Sequence, residues 1–202
     1  KRTLAFDVFN SSLGMFNGCH VAMHSLLAGR VRNAIVVAAE VWDVSARELA
    51  GQRPIAQMAS ALLLTCSDSK EVGFGPMAFD YHLQFYESRC TKIDSSSGPP
   101  KYKIAISEDW ELHLTACIVS SIDAFLKKEH LTIQQIDHLF LPCNVGSFAR
   151  RLATELSIPL QQIVAADESQ ALDLFTSALP YAWEQGTMSN RFSKGQVGLI
   201  VS

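Results

Sequence analysis

The chain has 202 residues, 48% of them hydrophobic and 18% charged, and 17 basic against 20 acidic side chains leave a formal net charge of −3. That balance describes a folded globular chain and excludes a disordered, collagen-like or coiled-coil protein. The near-neutral charge and scattered basic residues give no electrostatic reason to expect nucleic acid or an anionic membrane as partner, and no apolar run approaches the ~20 residues of a membrane span.

The N-terminal Lys1-Arg2-Thr3 leads into a short apolar run interrupted by Asp7, which is not a signal segment. Residues 3–8 read as a strand, and Asn10, Ser11 and Ser12 supply N-cap chemistry for a helix that Gly29 stops at about Ala28. Residues 33–39 form a continuous apolar run, the pattern of a strand buried on both faces of an α/β sheet, and residues 59–65 give another such strand. Residues 73–83 read as extended and half-buried. Asp94-Ser95-Ser96-Ser97-Gly98-Pro99-Pro100 cannot hold a helix or central strand, so the boundary between two halves, 1–98 and 99–202, is placed there. Beyond it the pattern predicts strands at 102–106, 138–141, 163–165 and 197–201, with helices at 107–128, 147–156 and 174–185. This alternation with short connections predicts a mainly parallel sheet covered by helices.

Five cysteines, Cys19, Cys66, Cys90, Cys117 and Cys143, are odd in number, widely spaced and without a metal-binding pattern. They read as free thiols of a reducing, cytoplasmic compartment.

One stretch carries a family signature. Ala5-Phe6-Asp7-Val8, then Ser12-Leu13-Gly14, a helix, and Val31-Arg32-Asn33-Ala34-Ile35-Val36-Val37-Ala38-Ala39-Glu40 resemble the β-ketoacyl-ACP synthase III branch of the thiolase superfamily. There a strand ending F-D-[V/I] precedes a nucleophilic Cys, one residue and a Gly, and the next strand reads like R-N-x-L-V-V-x-x-E. Asp137-His138-Leu139-Phe140-Leu141-Pro142 stands where the family runs into its P-H-Q-A-N motif. Leu156-Ser157-Ile158-Pro159 and Ser177-Ala178-Leu179-Pro180 resemble the family's L-x-[L/I]-P and S-I-P.

The resemblance implies a thiolase-like five-layer α-β-α-β-α sandwich of two similar α/β halves. Aligned on Ser12, the chain enters at the third strand of the first half. With a family strand order of 3-2-1-4-5, the missing strands 1 and 2 lie between its first two strands, and the first half is incomplete. The expectation is that a second polypeptide, a cleaved N-terminal segment or residues outside this sequence supply them. The chain alone would otherwise expose an unpaired strand edge and tend to aggregate, which a well-behaved monomer with cooperative unfolding would refute. The family's dimer two-fold runs beside the strand at 4–8, so a homodimer or a heterodimer with another thiolase-fold subunit is expected.

The same alignment assigns the site. Ser12 occupies the nucleophile position, but a helix end cannot ionise a hydroxyl as it can a thiol, so Ser12 needs a general base. Cys143 stands at the family's His, a poor substitute for an imidazole base, and Asn144, Val145 and Gly146 stand where Gln, Ala and Asn are expected. Asp173 aligns with the catalytic Asn. His82, in Asp80-Tyr81-His82-Leu83, lies in a stretch similar to the family's T-H-L-H region, so Ser12, His82 and Asp173 could form a Ser/His/Asp arrangement. The bland alternative is a histidine hydrogen-bonded in a loop.

Gln57-Met58-Ala59-Ser60-Ala61 replaces a glycine-rich loop without any glycine, and Leu174 and Phe175 bring bulk to the segment that lines the family's pantetheine channel. His20 and His24 lie about 12 and 18 Å along the helix from Ser12 and cannot reach it. As an i, i+4 pair without a third ligand they do not make a metal site. His113, His130 and His138 read as helix-surface or helix-end residues.

These departures lead to a degenerate synthase III-like subunit that supports a catalytic partner in fatty-acyl, polyketide or quinolone-type biosynthesis. The alternative is an active acyltransferase or condensing enzyme that takes an acyl group onto Ser12. No tightly bound cofactor or metal is expected. The pantetheine arm of coenzyme A or an acyl carrier protein would be the substrate arm.

Overall fold

A computed structural model describes residues 3–8, 10, 13–40, 57–69, 72–94, 101–141, 147–165 and 174–201. Helix α1 (Gly14–Leu27) buries Met15, Cys19 and Leu26, the spacing of one helical face. That face lies on strands β1 (Asn33–Glu40) and β2 (Met58–Thr65), where Ala38 and Leu64 complete the cluster. The two strands pair antiparallel from Asn33 opposite Thr65 to Glu40 opposite Met58.

Two expectations change here. β1 is covered on one face only among the described residues, since Val36 and Ala38 face α1 while Ile35 and Val37 remain 69% and 62% exposed. A continuous apolar run does not by itself say that both faces are covered. Residues 3–8 form no strand, and Leu4 and Phe6 are exposed. A strand exists through its ladder, and this segment pairs with no described residue.

Residues 72–82 likewise carry no strand, although Phe74 and Met77 pack against the α1 cluster. A 3-10 turn (Leu83–Ser88) leads into β3 (Arg89–Asp94), which pairs antiparallel with β4 (Lys101–Ile106). The segment at the predicted boundary, residues 95–100, lies outside the described residues and joins the two arms of this hairpin.

The remaining chain follows its pattern closely. α2 (Trp110–Lys128), β5 (His138–Leu141), α3 (Ser147–Glu155), β6 (Ile163–Ala165), α4 (Ala178–Met188) and β7 (Gly198–Ile200) alternate in order. β5 is the centre of a parallel sheet of order β6-β5-β7. Its side chains alternate with the period of two that a strand imposes. Leu139 and Leu141 join the core formed with α2 and α3, including Ile122, Phe148 and Leu152, while Phe140 faces Leu179 and Ala182 of α4. Parallel pairing is thus confined to this sheet among the described strands; β1–β2 and β3–β4 are antiparallel, against the expectation of a mainly parallel sheet.

The four α-helices among the described residues end in the same motif. After α1, the N–H groups of Gly29 and Arg30 donate to the carbonyls of Leu26 and Ser25 at 2.9 and 3.0 Å, with Gly29 at φ +67°. His130, Ser157 and Asn190 hold the equivalent left-handed position after α2, α3 and α4, at φ 56°, 54° and 52°. No helix among the described residues is long and apolar enough to cross a membrane.

Candidate active site

Two helix N-termini meet across the two halves. α1 begins two residues after Ser12 with Leu13 as N-cap, and α4 begins at Ala178 with Ser177 as N-cap. Among the described residues, neither end has a side-chain cap or an acidic residue in its first turn. Ser60 of β2 stands between them, its Oγ 3.0 Å from the Ser177 Oγ and donating to the Met15 Sδ at 4.0 Å. Ser177 is fully buried. Uncapped N–H groups at a helix start, with the positive end of the dipole behind them, are suited to hold a developing oxyanion where water is scarce.

Next to this junction lies an apolar cavity of about 20 Å³. Met15, Phe16 and Cys19 of α1 form one wall, and Phe140, Leu179 and Trp183 form the facing one. Burial pushes the Cys19 thiol up from its ordinary 9.0 to about 11. It is therefore a neutral, unreactive lining residue at physiological pH.

The assigned residues fall into two groups. Ser12, Cys143, Asn144 and Asp173 lie outside the described residues. Their neighbours in sequence belong to the elements at the junction: α1 follows Ser12, β5 ends two residues before Cys143, and Leu174 follows Asp173. Leu174 is buried beside Ala178, with Met58 and Tyr181 packed on it. Phe175 opens the 3-10 turn (Phe175–Ser177) that leads into α4.

His82 precedes the 3-10 turn at Leu83–Ser88 and is held by α2, its Nε2 2.9 Å from the Ser121 Oγ. The same turn is fixed to α2 by Ser88, whose Oγ is 2.6 Å from the His113 Nδ1, and by Phe85 stacked on the His113 ring. His20 and His24 lie ring against ring on α1, 4.3 Å apart. His138 is the first residue of β5 rather than a helix residue, with its Nε2 3.1 Å from the Gln196 Oε1. Among the described residues no group of three His, Cys, Asp or Glu side chains is placed to hold a metal ion.

Sequence reasoning did not single out the polar residues of the junction as partners. Thr176 donates to the Glu40 Oε1 at 2.6 Å, beside the Ser60–Ser177 contact. The only signal was a carboxylate closing the apolar run that ends at Ala39.

No protein-family model and no curated protein matches the sequence. Solved structures identify the fold, which is the thiolase-like fold of the β-ketoacyl-ACP synthase III structures. The chain is similar to 3-oxoacyl-(acyl carrier protein) synthase III, FabH, from Pseudomonas aeruginosa PAO1, with 18% identity and a TM-score of 0.74 over 98% of this chain and 62% of that one. It is also similar to the acyltransferase ChlB3, with 18% identity and a TM-score of 0.68 over 98% of this chain and 63% of that one. A third similar structure is the C143S form of Xanthomonas campestris OleA with bound lauric acid and lauroyl-CoA, at 13% identity and a TM-score of 0.69 over 96% of this chain and 61% of that one. The chain thus spans about three fifths of the length of these proteins.

Proposed function

We propose that this chain belongs to an acyltransferase or condensing enzyme that receives an acyl group from a pantetheine thioester, of coenzyme A or an acyl carrier protein, onto Ser12. The observation that carries this reading is the meeting, beside an apolar cavity, of two helix N-termini that no described side chain caps. Such N–H groups suit a thioester carbonyl, and the apolar lining, with room for about one water-sized group, keeps its surroundings dry. The Ser12 Oγ attacks the thioester carbonyl, the new C–O bond replaces the C–S bond, and the hydroxyl proton ends on the departing thiol. His82 is the base that the family alignment assigns, and Asp173 balances the charge of the imidazolium it forms. Because the His82 Nε2 is engaged by Ser121, the base role falls to its Nδ1. The exposed segment 3–8 is our choice for the contact with a second thiolase-fold subunit, and a cytoplasmic location fits the free thiols.

The Ser121 contact favours one second reading, a non-catalytic subunit that supports a partner, since it accounts for His82 without chemistry. Intact-protein mass spectrometry after incubation with acyl-coenzyme A and acyl-carrier thioesters separates the two. The enzyme reading expects a mass increment of one acyl group on this chain, lost in Ser12→Ala and at least a hundredfold slower in His82→Ala. No increment on the wild-type chain overturns it and leaves the supporting role.

A further inference from the structure

We infer that Glu40 and Ser60 are positioning residues that set α4 against α1 across the two halves. The inference rests on the acyl-transfer reading. Glu40 closes β1, and Ser60 sits on β2 directly opposite Ala38, so the two side chains occupy one corner of the β1–β2 ribbon. They engage consecutive residues of the turn before α4. The Thr176 Oγ1 donates to the Glu40 Oε1 at 2.6 Å, and the Ser177 Oγ lies 3.0 Å from the Ser60 Oγ. These contacts join positions 136 and 117 residues apart in sequence.

One hydrogen bond would leave the turn free to swing about its axis, whereas two on adjacent residues fix its orientation as well as its distance. The first is a charge-assisted bond to a half-buried carboxylate, the stronger kind. In the second, the Ser177 hydroxyl is fully buried, and leaving it unpaired would carry a desolvation penalty. Ser60 also contacts Met15 in the first turn of α1, so it touches the starts of both helices. The spacing of the two N-termini is therefore set by side chains, outside any backbone ladder. Substitutions here can shift the spacing while leaving the strands paired.

Thr176→Val keeps the shape and removes the donor. Misplacement of reacting groups by a fraction of an ångström lowers the rate more than the affinity. In single-turnover acylation by acyl-coenzyme A, Thr176→Val is expected to lower the maximal rate about tenfold and keep the half-saturating concentration within twofold. Thr176→Ser restores the rate, and Glu40→Gln falls between. Equal loss in Thr176→Ser, or a wild-type rate in Thr176→Val, overturns the inference.

A second measurement does not depend on activity. In a denaturation cycle of Glu40→Gln and Thr176→Val, the double variant should fall short of additivity by about fivefold in the unfolding constant. Amide exchange at residues 176–179 should rise about tenfold in Thr176→Val, while residues 139–141 keep their protection. Should the wild-type chain take up no acyl group, the functional reading fails and these two measurements decide the positioning role. Additive energies or unchanged exchange refute it.

Discussion

The β6-β5-β7 sheet and the β1–β2 ribbon are built from similar apolar runs but are buried differently. In the sheet, helices cover both faces, and Leu139, Leu141 and Val164 have 2% exposure or less. In the ribbon, α1 covers one face, and Ile35, Val37 and Leu63 on the other remain 62 to 69% exposed. A strand's composition thus records what it is able to pack against, while the neighbouring elements decide whether it does. The sheet can serve as a fixed platform for α4 and the end of β5. The ribbon carries Glu40 and Ser60 and meets that platform through the junction.

The sharpest way to break this comparison is to truncate one side chain in each region. Leu141→Ala removes a side chain with no exposed surface from the sheet core and should cost about 3 to 4 kcal/mol in urea unfolding. Val37→Ala, on the open face of the ribbon, should change stability by less than about 0.5 kcal/mol. Similar losses in both would show that the outer face of the ribbon is covered in solution.

A pH titration tests the covered face of the same ribbon. Cys19 lies under α1 with 1% exposure, and burial holds its folded-state pKa at about 11 against an ordinary 9.0. Since the folded value is raised, the unfolded chain releases this proton first. The contribution is fully present below pH 9 and is lost as pH rises from 9 to 11. Two pKa steps correspond to about 3 kcal/mol. Other groups titrate over that range, so the measure is the difference between wild type and Cys19→Ala, which should shrink by this amount between pH 9 and 11. A flat difference would mean that water reaches Cys19 and that the ribbon lacks a dry side.

The two regions also differ in how far the sequence revealed them. Residues 138–141 and 163–165 were predicted as strands at the positions where they occur. Their apolar runs are bounded by helical patterns, and the helices are there to pair with. Residues 3–8 have the same local character and form no strand, because pairing is a property of a partner and not of a hexapeptide. The site divides in the same way. Leu174 and His82 were picked out by motif, but their burial against Met58 and Tyr181 and the bond to Ser121 come from elements far away in sequence. Ser60 was noted only for replacing a glycine, and Glu40 only as the end of a strand motif. Neither gives any local sign of reaching Thr176 and Ser177.

Helix ends give the smallest effect and a clean one. The sequence marked the end of α1 through Gly29, which takes φ +67° without a Cβ in the way. The other three described α-helices close with the same pair of backbone bonds but put His130, Ser157 and Asn190 in the left-handed position, so no glycine announced where they stop. Each of these residues bears the steric cost of that conformation, least for Asn190, whose side chain suits it. Replacing His130 or Ser157 by Gly removes this cost at the expense of a more flexible unfolded chain. The net should be a gain of about 0.5 kcal/mol in urea unfolding. Asn190→Gly should gain less than His130→Gly, and Gly29→Ala should lose about 1 kcal/mol, although a Cβ there would meet nothing within 4 Å. If Gly29→Ala is neutral, or His130→Gly destabilises, the helix ends are held by side-chain contacts specific to each region instead of by the backbone motif that the two regions share.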